Sequence, residues 1–238
     1  MANPFSVIVD DFDETLNSLL LLVQIGQGTG VSPKTRVASI HATTLMLAAA
    51  FEEFIREMAL EHARHVVNGA HSVSELPDML LMTAWKRTLG EAVRLQVNGR
   101  SKRDALKMSA KQVRPKVDAL CSFVEGDIQQ NIYDHLIHNE INMRATQINK
   151  LFRVSGREDI CSEVCKQGSL KAFFDREDER KTHGELLAAL ENFINRRNEI
   201  AHSLNSAVSS APEEVYRIIK MLRAFARDLG VTLYDGNS

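Results

Sequence analysis

The chain has 238 residues, of which 44% are hydrophobic and 25% charged, so its composition is that of an ordinary globular protein able to bury a core. Aromatic residues make up only 6%, and the 12 Gly and 5 Pro are too few for the many turns of a β-sandwich or β-barrel. Because 29 Lys and Arg nearly balance 31 Asp and Glu, the net charge indicates no class of partner, and only local clusters can do so.

The N-terminus and the cysteines indicate where the protein resides. The first fifteen residues carry acidic side chains where a signal peptide carries basic ones, and no run of about 18 apolar residues predicts a membrane span. Cys121, Cys161 and Cys165 match neither a disulfide framework nor zinc-ligand spacing. We therefore expect a cytoplasmic protein with reduced thiols, no cofactor and no membrane partner.

Apolar residues recur at steps of three and four along almost the whole chain, which predicts an all-α fold. The first helix is predicted from Phe5 to Val23, ended by the sequence GQGTG at 26–30. A longer helix follows from Pro33 to about Val67. Further helices are predicted at about 77–96, 104–113, 116–137 and 142–153, before an irregular or short-helical stretch.

The last two predicted helices have start signals. T-x-x-E at 182–185 is a capping box that predicts a helix from residue 183 to about 203. S-x-x-E at 210–213, with proline in the first turn, predicts a final helix that ends near Gly230. Since no linker or tandem repeat interrupts the pattern, we expect one all-α domain, a helical bundle over residues 1–238.

Two short motifs match known signatures but have simpler interpretations. D-x-D-x-T at 11–15 is typical of phosphatases, where it follows a buried strand; here it lies in a helical stripe, so we interpret it as a solvated acidic face. HARH at 62–65 and HLIH at 135–138 have helical metal-ligand spacing. Because such pairs lie more often on exposed or half-buried helix flanks, we predict no metal site.

A basic segment at 98–116 is a candidate RNA-binding surface. It contains seven Lys and Arg and one acid, Asp104, and clustered positive charge attracts phosphates through counterion release. The alternative is a solvated helix and loop. The predicted RNA contacts are Arg100, Lys102, Arg103, Lys107 and Lys111, together with Arg196 near the C-terminus.

The sequence NRRNEIAHS at 195–203 contains an arginine in an unusual place. A helical wheel centred on Leu190 predicts a buried stripe formed by Leu186, Phe193, Ile194, Ala201 and Leu204. Arg197 falls in the middle of that stripe, where a guanidinium is costly unless it is paired or faces a cleft or a partner. Asn198 and His202 lie together on one flank, with Glu191 and Asn195, and Arg197 is long enough to reach the His202 ring.

These residue types suit phosphodiester chemistry without a metal. A histidine transfers protons near neutral pH, and an arginine binds two phosphate oxygens and stabilises developing charge. RNA supplies its own nucleophile, the 2′-OH. Asn198 would orient the ring or bind the phosphate. The spacing alone is not specific, because four other Arg and His pairs in the chain share it.

INRRNEIAHS resembles the R-x(4–6)-H signature of HEPN (higher eukaryotes and prokaryotes nucleotide-binding) domains, which lies on a penultimate helix. The segment at 48–63 resembles the long early helix of HEPN proteins of the RiboL-PSP and related types, and 142–156 resembles their central segment. The resemblance covers about 35–230. It implies a helical bundle with a long early helix and two C-terminal helices, in which Arg197 and His202 are catalytic and Asn198 assists.

The resemblance also implies function and partners. Many HEPN proteins are metal-independent endoribonucleases of toxin–antitoxin, abortive-infection or anti-phage systems, and they dimerise so that two motifs share a cleft. We therefore expect an RNA substrate, a homodimer and a cognate antitoxin or defence partner. Leu204 replaces the tyrosine that nucleotidyltransferase antitoxins modify, so that control is not expected. The alternative is a non-catalytic adaptor for RNA or protein, in which Arg197 forms a salt bridge to Glu53 or Glu57.

Overall fold

The computed structural model describes residues 3–94, 102–133, 136–137, 142–202 and 211–235. Within these segments the chain forms nine α-helices, one short 3-10 helix and no strand, as the periodicity predicts. The α-helices are α1 (Pro4–Gly26), α2 (Pro33–Gly69), α3 (Asp78–Arg94), α4 (Lys102–Val124), α5 (Ala145–Arg153), α6 (Ile160–Val164), α7 (Gly168–Phe174), α8 (Glu179–His202) and α9 (Pro212–Asp235). No helix of the described segments has both the length and the apolarity to cross a bilayer.

The first two helices form where the sequence predicts them. Asn3 caps α1, because its Oδ1 accepts a hydrogen bond of 2.9 Å from the backbone N–H of Phe5. At Gly26 an added Cβ would lie 2.2 Å from Ser39 Oγ on α2, so only glycine allows this close approach. The long α2 that follows begins at Pro33, as predicted, and ends at Gly69.

The predicted division into helices at 104–113 and 116–137 is wrong, because α4 is continuous through Pro115 and ends at Val124. A proline removes one backbone hydrogen bond and crowds the carbonyl one turn earlier. Pro115 and Lys111 are both exposed, so water can satisfy that carbonyl. Gly126, at a φ of 122°, supplies the left-handed backbone on which the chain leaves the helix.

The predicted start of α8 is also wrong, by four residues. Asp178 is the cap: its Oδ1 accepts hydrogen bonds of 2.9 Å from Arg180 N and 3.0 Å from Lys181 N. Those backbone contacts lower the pKa of the Asp178 carboxyl. Thr182 lies buried in the first turn and donates its hydroxyl to the Asp178 carbonyl at 3.0 Å. The T-x-x-E pattern thus lies just inside the helix.

The final helix extends past its predicted end at Gly230 and finishes at Asp235. Gly230 is buried, and a Cβ added there would lie 3.1 Å from Val9 Cγ2 on α1. This glycine therefore permits close packing of α9 against α1 and does not end the helix.

The chain divides into two compact units, and the single domain over residues 1–238 stays a prediction. The first unit comprises residues 1–58, 140–150 and 158–238, and aromatic rings from α1, α2, α8 and α9 form its centre. Phe12 stacks on Phe54 with ring centroids 4.4 Å apart. Phe51 meets Phe193 and Phe225 edge-on, at 6.5 Å and 5.8 Å. These contacts fix α8 against the long α2 and the last helix.

The second unit comprises residues 59–139 and 151–157. Here α3 packs against α4, and the end of α2 contributes to the same core. The buried members of that core are Ala63, Val67, Leu76, Leu80, Ala84, Leu120, Phe123, Ile132, Leu136 and Val154.

Candidate functional site

The residues of the C-terminal motif lie on the last two turns of α8. Arg197 and Asn198 are half-buried and His202 is exposed. The predicted stripe is correct at Phe193 and neighbouring positions, but Ala201 is exposed, whereas the sequence predicts it buried. Ile200 is buried instead, because it lies beside Phe193 around the helix axis. Leu204 lies outside the described residues.

The Arg197 guanidinium is held by neutral acceptors. Its Nη1 donates hydrogen bonds to Asn142 Oδ1 at 3.1 Å and to Asn198 Oδ1 at 3.0 Å. The salt bridge to Glu53 or Glu57 that the adaptor hypothesis requires is not formed, and Glu53 instead pairs with Arg56. Since no described carboxylate neutralises Arg197, its positive charge remains available to an anion.

Asn142 is positioned by a buried carboxylate. Its backbone N–H donates to Glu52 Oε1 at 2.7 Å, and Glu52, on α2, is only 6% exposed. The backbone of Asn142 has a φ of 63°, a left-handed conformation that asparagine tolerates better than most residues. A chain of contacts thus leads from α2 through Asn142 to Arg197, and neither Glu52 nor Asn142 was identified from the sequence as a site residue.

A second arginine lies on the polar flank of α8 that the sequence predicts. Arg144 forms an ion pair with Glu191, and its Nη2 donates to Asn195 Oδ1 at 2.7 Å. Asn195 Nδ2 in turn lies 3.4 Å from Glu191 Oε1. This contact was also missed, although Arg144 lies in the 142–156 segment that carries the family resemblance. It attaches the loop before α5 to α8.

The predicted RNA-binding cations are placed differently from one another. Arg103, Lys107 and Lys111 are exposed on α4, and their spacing of four places them along one face of that helix. Arg196 is largely covered and contacts Glu199 and Glu214 at 3.4 Å and 3.7 Å. Arg100 and the side chain of Lys102 lie outside the described residues. The prediction that these cations bind RNA stays untested.

Both histidines of HLIH lie outside the described residues; in HARH, His65 is half-buried, as expected, but His62 is not. His62 is 1% exposed, which corrects the expectation of an exposed or half-buried ring. Its Nδ1 lies 2.7 Å from Ser155 Oγ, and its buried Nε2 has no hydrogen-bond partner among the described residues. Burial lowers the pKa of His62 to about 3.

The described segments support neither a metal site nor phosphatase chemistry. They contain no group of three or more His, Cys, Asp or Glu side chains that could hold a metal ion. In the D-x-D-x-T motif, Asp11 is exposed on α1, and Asp13 pairs with Arg223 of α9. The motif thus lies on a helix, as expected; Asp11 is solvated, whereas Asp13 is half-buried and paired.

The arrangement on α8 combines an oriented guanidinium with an exposed histidine. Arg197 is oriented by two amide oxygens and keeps its charge, while His202, five residues further on, faces solvent. Such a pair can bind a phosphate and transfer a proton beside it.

Comparison with known proteins identifies one family. The sequence matches the family model described as RiboL-PSP-HEPN over residues 10–234, which covers the helices α2 to α8, α1 from Asp10 onward, and α9 except its last residue. No curated protein and no solved structure matches the chain significantly.

Proposed function

The chain belongs to the RiboL-PSP-HEPN family, and on that basis we propose that it is a metal-independent endoribonuclease whose catalytic residues are Arg197 and His202, with Asn198 in support. The observation that carries this proposal is the Arg197 guanidinium, which two amide oxygens orient without neutralising it. A cation held for structure alone would be expected to pair with a carboxylate, as Arg144 does with Glu191.

The proposed reaction uses the 2′-OH of the RNA as nucleophile. The 2′-oxygen attacks the adjacent phosphorus, the bond to the 5′-oxygen breaks, and the products are a 2′,3′-cyclic phosphate and a 5′-hydroxyl. Arg197 stabilises the additional negative charge on the phosphate oxygens in the transition state. His202 either removes the 2′-OH proton or returns a proton to the leaving oxygen.

One histidine cannot assist both proton transfers of a single concerted step. A second copy of the chain, with its own motif facing the first, would supply the other histidine, as the family resemblance implies. We propose a homodimer on this ground, with a cognate antitoxin or defence-system partner that controls it. Dimerisation would also provide an occupant for the surface around the half-buried Arg197.

Chelation distinguishes this chemistry from that of metal-dependent nucleases. RNA cleavage by the full-length chain is expected to continue at an unchanged rate in excess EDTA, because the proposed step needs no Lewis acid. The measurement is the rate of cleavage of a labelled single-stranded RNA with and without EDTA. Loss of activity on chelation and its recovery with a divalent cation would refute the proposal.

The contact from Asn142 offers a graded test of how Arg197 is oriented. Asn142→Gly keeps a residue that tolerates the left-handed backbone but removes the amide oxygen that accepts from Arg197. Loss of one such hydrogen bond, worth about 1.5–3 kcal/mol when one partner is charged, is expected to lower kcat by about 10-fold or more with little change in the unfolding midpoint. An unchanged kcat would mean that this contact has no part in catalysis.

A second candidate function is the non-catalytic adaptor. The observation that favours it is an apolar ridge on α3, opposite its buried face, formed by Met82, Trp85 and Leu89, which are 65%, 44% and 37% exposed. Exposed apolar ridges with a tryptophan are typical of protein-binding surfaces. An adaptor would bind its partner through Trp85 and show no RNA cleavage that depends on His202.

A further inference from the structure

An open pocket of about 290 Å³ lies between α7, α8 and α9 of the first unit. Phe173 and Phe174 form one wall, with their rings perpendicular and their centroids 4.8 Å apart. Ile218 and Met221 of α9 add apolar surface. The volume is at the lower end of that typical for small-ligand sites, and it suits a single flat ring system with part of a sugar.

The two carboxylates that line the pocket each form an ion pair with an arginine. Glu185 accepts from Arg176 at 3.4 Å, and Glu214 lies 3.7 Å from Arg196. An anionic ligand therefore does not meet two free negative charges there. Arg196, a predicted RNA contact, thus also neutralises a carboxylate at the rim of the pocket.

Two further polar side chains of the pocket make no hydrogen bond to any described residue. They are Asn192 on α8 and Arg217 on α9, and both are exposed. An asparagine amide offers a donor and an acceptor side by side, which matches the edge of a nucleobase. A free guanidinium binds phosphate. Together with the two phenylalanine rings, these groups can contact the base and the phosphate of one nucleotide.

The pocket and the Arg197–His202 pair share helix α8. Asn192 precedes His202 by ten residues, so the two positions are separated by about 15 Å along the helix. At 100° per residue they differ by about 80° around the axis, so Asn192 and His202 lie on adjacent faces of α8. A single RNA strand can follow this surface from one site to the other within a few nucleotides.

We propose that this pocket binds one unpaired base of the RNA substrate, a few nucleotides from the phosphate that Arg197 and His202 act upon. The base packs against Phe173 and Phe174, its edge bonds the Asn192 amide, and its phosphate meets Arg217. This assignment rests on the proposed function, and it makes the pocket the part of the protein that selects the base near the cleavage site.

The test uses the full-length chain carrying His202→Ala, so that the RNA stays intact, and a short single-stranded RNA with one 2-aminopurine, whose fluorescence falls when it stacks on an aromatic ring. Phe174→Ala is expected to weaken binding by about 5- to 100-fold, the range for loss of one stacked base, and to reduce the quenching. Asn192→Ala is expected to weaken binding by about 2- to 10-fold, as for loss of one hydrogen bond. Tyr234→Ala, which removes an exposed aromatic ring of α9 outside the pocket, is the matched control and should bind as the parent does.

Arg217→Ala and Lys220→Ala form a second matched pair, because both are exposed cations of α9 and only Arg217 lines the pocket. Only the first is expected to weaken binding. Asn192 and Arg217 are exposed, so their replacement leaves folding intact even if Phe174→Ala destabilises the chain.

The outcomes separate the pocket from the catalytic proposal. If the wild type cleaves RNA through His202 while every pocket variant binds like its control, the inference is overturned and the proposed function stands. If the wild type does not cleave but RNA binding depends on Phe174 and Asn192, the base pocket stands and the proposed function is overturned. RNA that fails to bind the chain at all contradicts both.

Discussion

His202→Ala is expected to lower the rate of RNA cleavage by about 10²–10⁴-fold, the usual contribution of general acid–base catalysis. His202 is exposed in the last turn of α8, so its removal should change the free energy of unfolding by no more than about 0.5 kcal/mol. The measurement is kcat on a labelled RNA, together with the unfolding midpoint of the same preparation. His71→Ala, which removes another exposed histidine, is the control and should retain full activity.

Replacing Arg197 should lower kcat more than it weakens substrate binding. Arg197→Lys keeps the charge but loses the planar fork that binds two oxygens, so kcat is expected to fall by about 10²–10³-fold, as when a transition-state donor is removed. The substrate Kd should change less, because charge attraction is retained. Activity of His202→Ala equal to that of His71→Ala would contradict the assignment of His202, and an unchanged kcat in Arg197→Lys would contradict that of Arg197.

His62 is expected to make the protein sensitive to acid. The folded state holds the pKa of His62 at about 3 because its ring is buried, with smaller contributions from Arg157 and His65, whereas the unfolded chain titrates near 6.5. The unfolded state therefore binds the extra proton first as the pH falls. Stability that is fully present above about pH 6.5 should decrease at lower pH by about 1.4 kcal/mol per unit for this group.

The hydrogen bonding around the His62 ring supports that expectation. Ser155 Oγ already donates to the Phe152 carbonyl at 3.2 Å, so it accepts from His62 Nδ1. A proton added at Nε2 would find no acceptor among the described residues. His62→Leu removes the titratable ring, and the Ser155 hydroxyl keeps its hydrogen bond to the Phe152 carbonyl. The free energies of unfolding of the wild type and His62→Leu are measured by urea titration from pH 7 to pH 4.5. The difference between them should change by about 3 kcal/mol over this pH range.

Parallel pH curves for the wild type and His62→Leu would show that His62 is not buried as described. His71→Ala should follow the wild type throughout. Because His62 and Ser155 belong to the second unit and the Arg197–His202 pair to the first, this test of the fold is independent of catalysis.

The sequence predicts the helices well where one face is consistently apolar. Phe12, Leu16 and Leu19 on α1, and Leu47 and Phe51 on α2, are all buried, because their steps of three and four match the helical period. The errors occur at proline and glycine, which often end a helix but can also lie inside one. Pro115 is tolerated where its neighbourhood is hydrated, and Gly230 permits packing instead of ending a helix.

The sequence predicts only part of the candidate site. Arg197 is conspicuous because a charge interrupts an apolar stripe on the same helix. Its partner Asn142 lies 55 positions away, and Glu52, which holds Asn142, lies another 90 positions from it. No local period links such residues, since the packing of α2, the loop before α5 and α8 brings them together. For the same reason the pocket between α7, α8 and α9 could not be predicted.

The chemistry of the RNA ends decides whether this pair cleaves RNA as proposed. Full-length wild type and His202→Ala, both in excess EDTA, are incubated with one RNA and with the same RNA carrying a single 2′-deoxy nucleotide before the scissile phosphate. The proposal predicts 2′,3′-cyclic phosphate and 5′-hydroxyl ends from the wild type alone, and no cleavage at the 2′-deoxy position. Ends with a 3′-hydroxyl and a 5′-phosphate, cleavage at the 2′-deoxy position, or equal products from His202→Ala would contradict it.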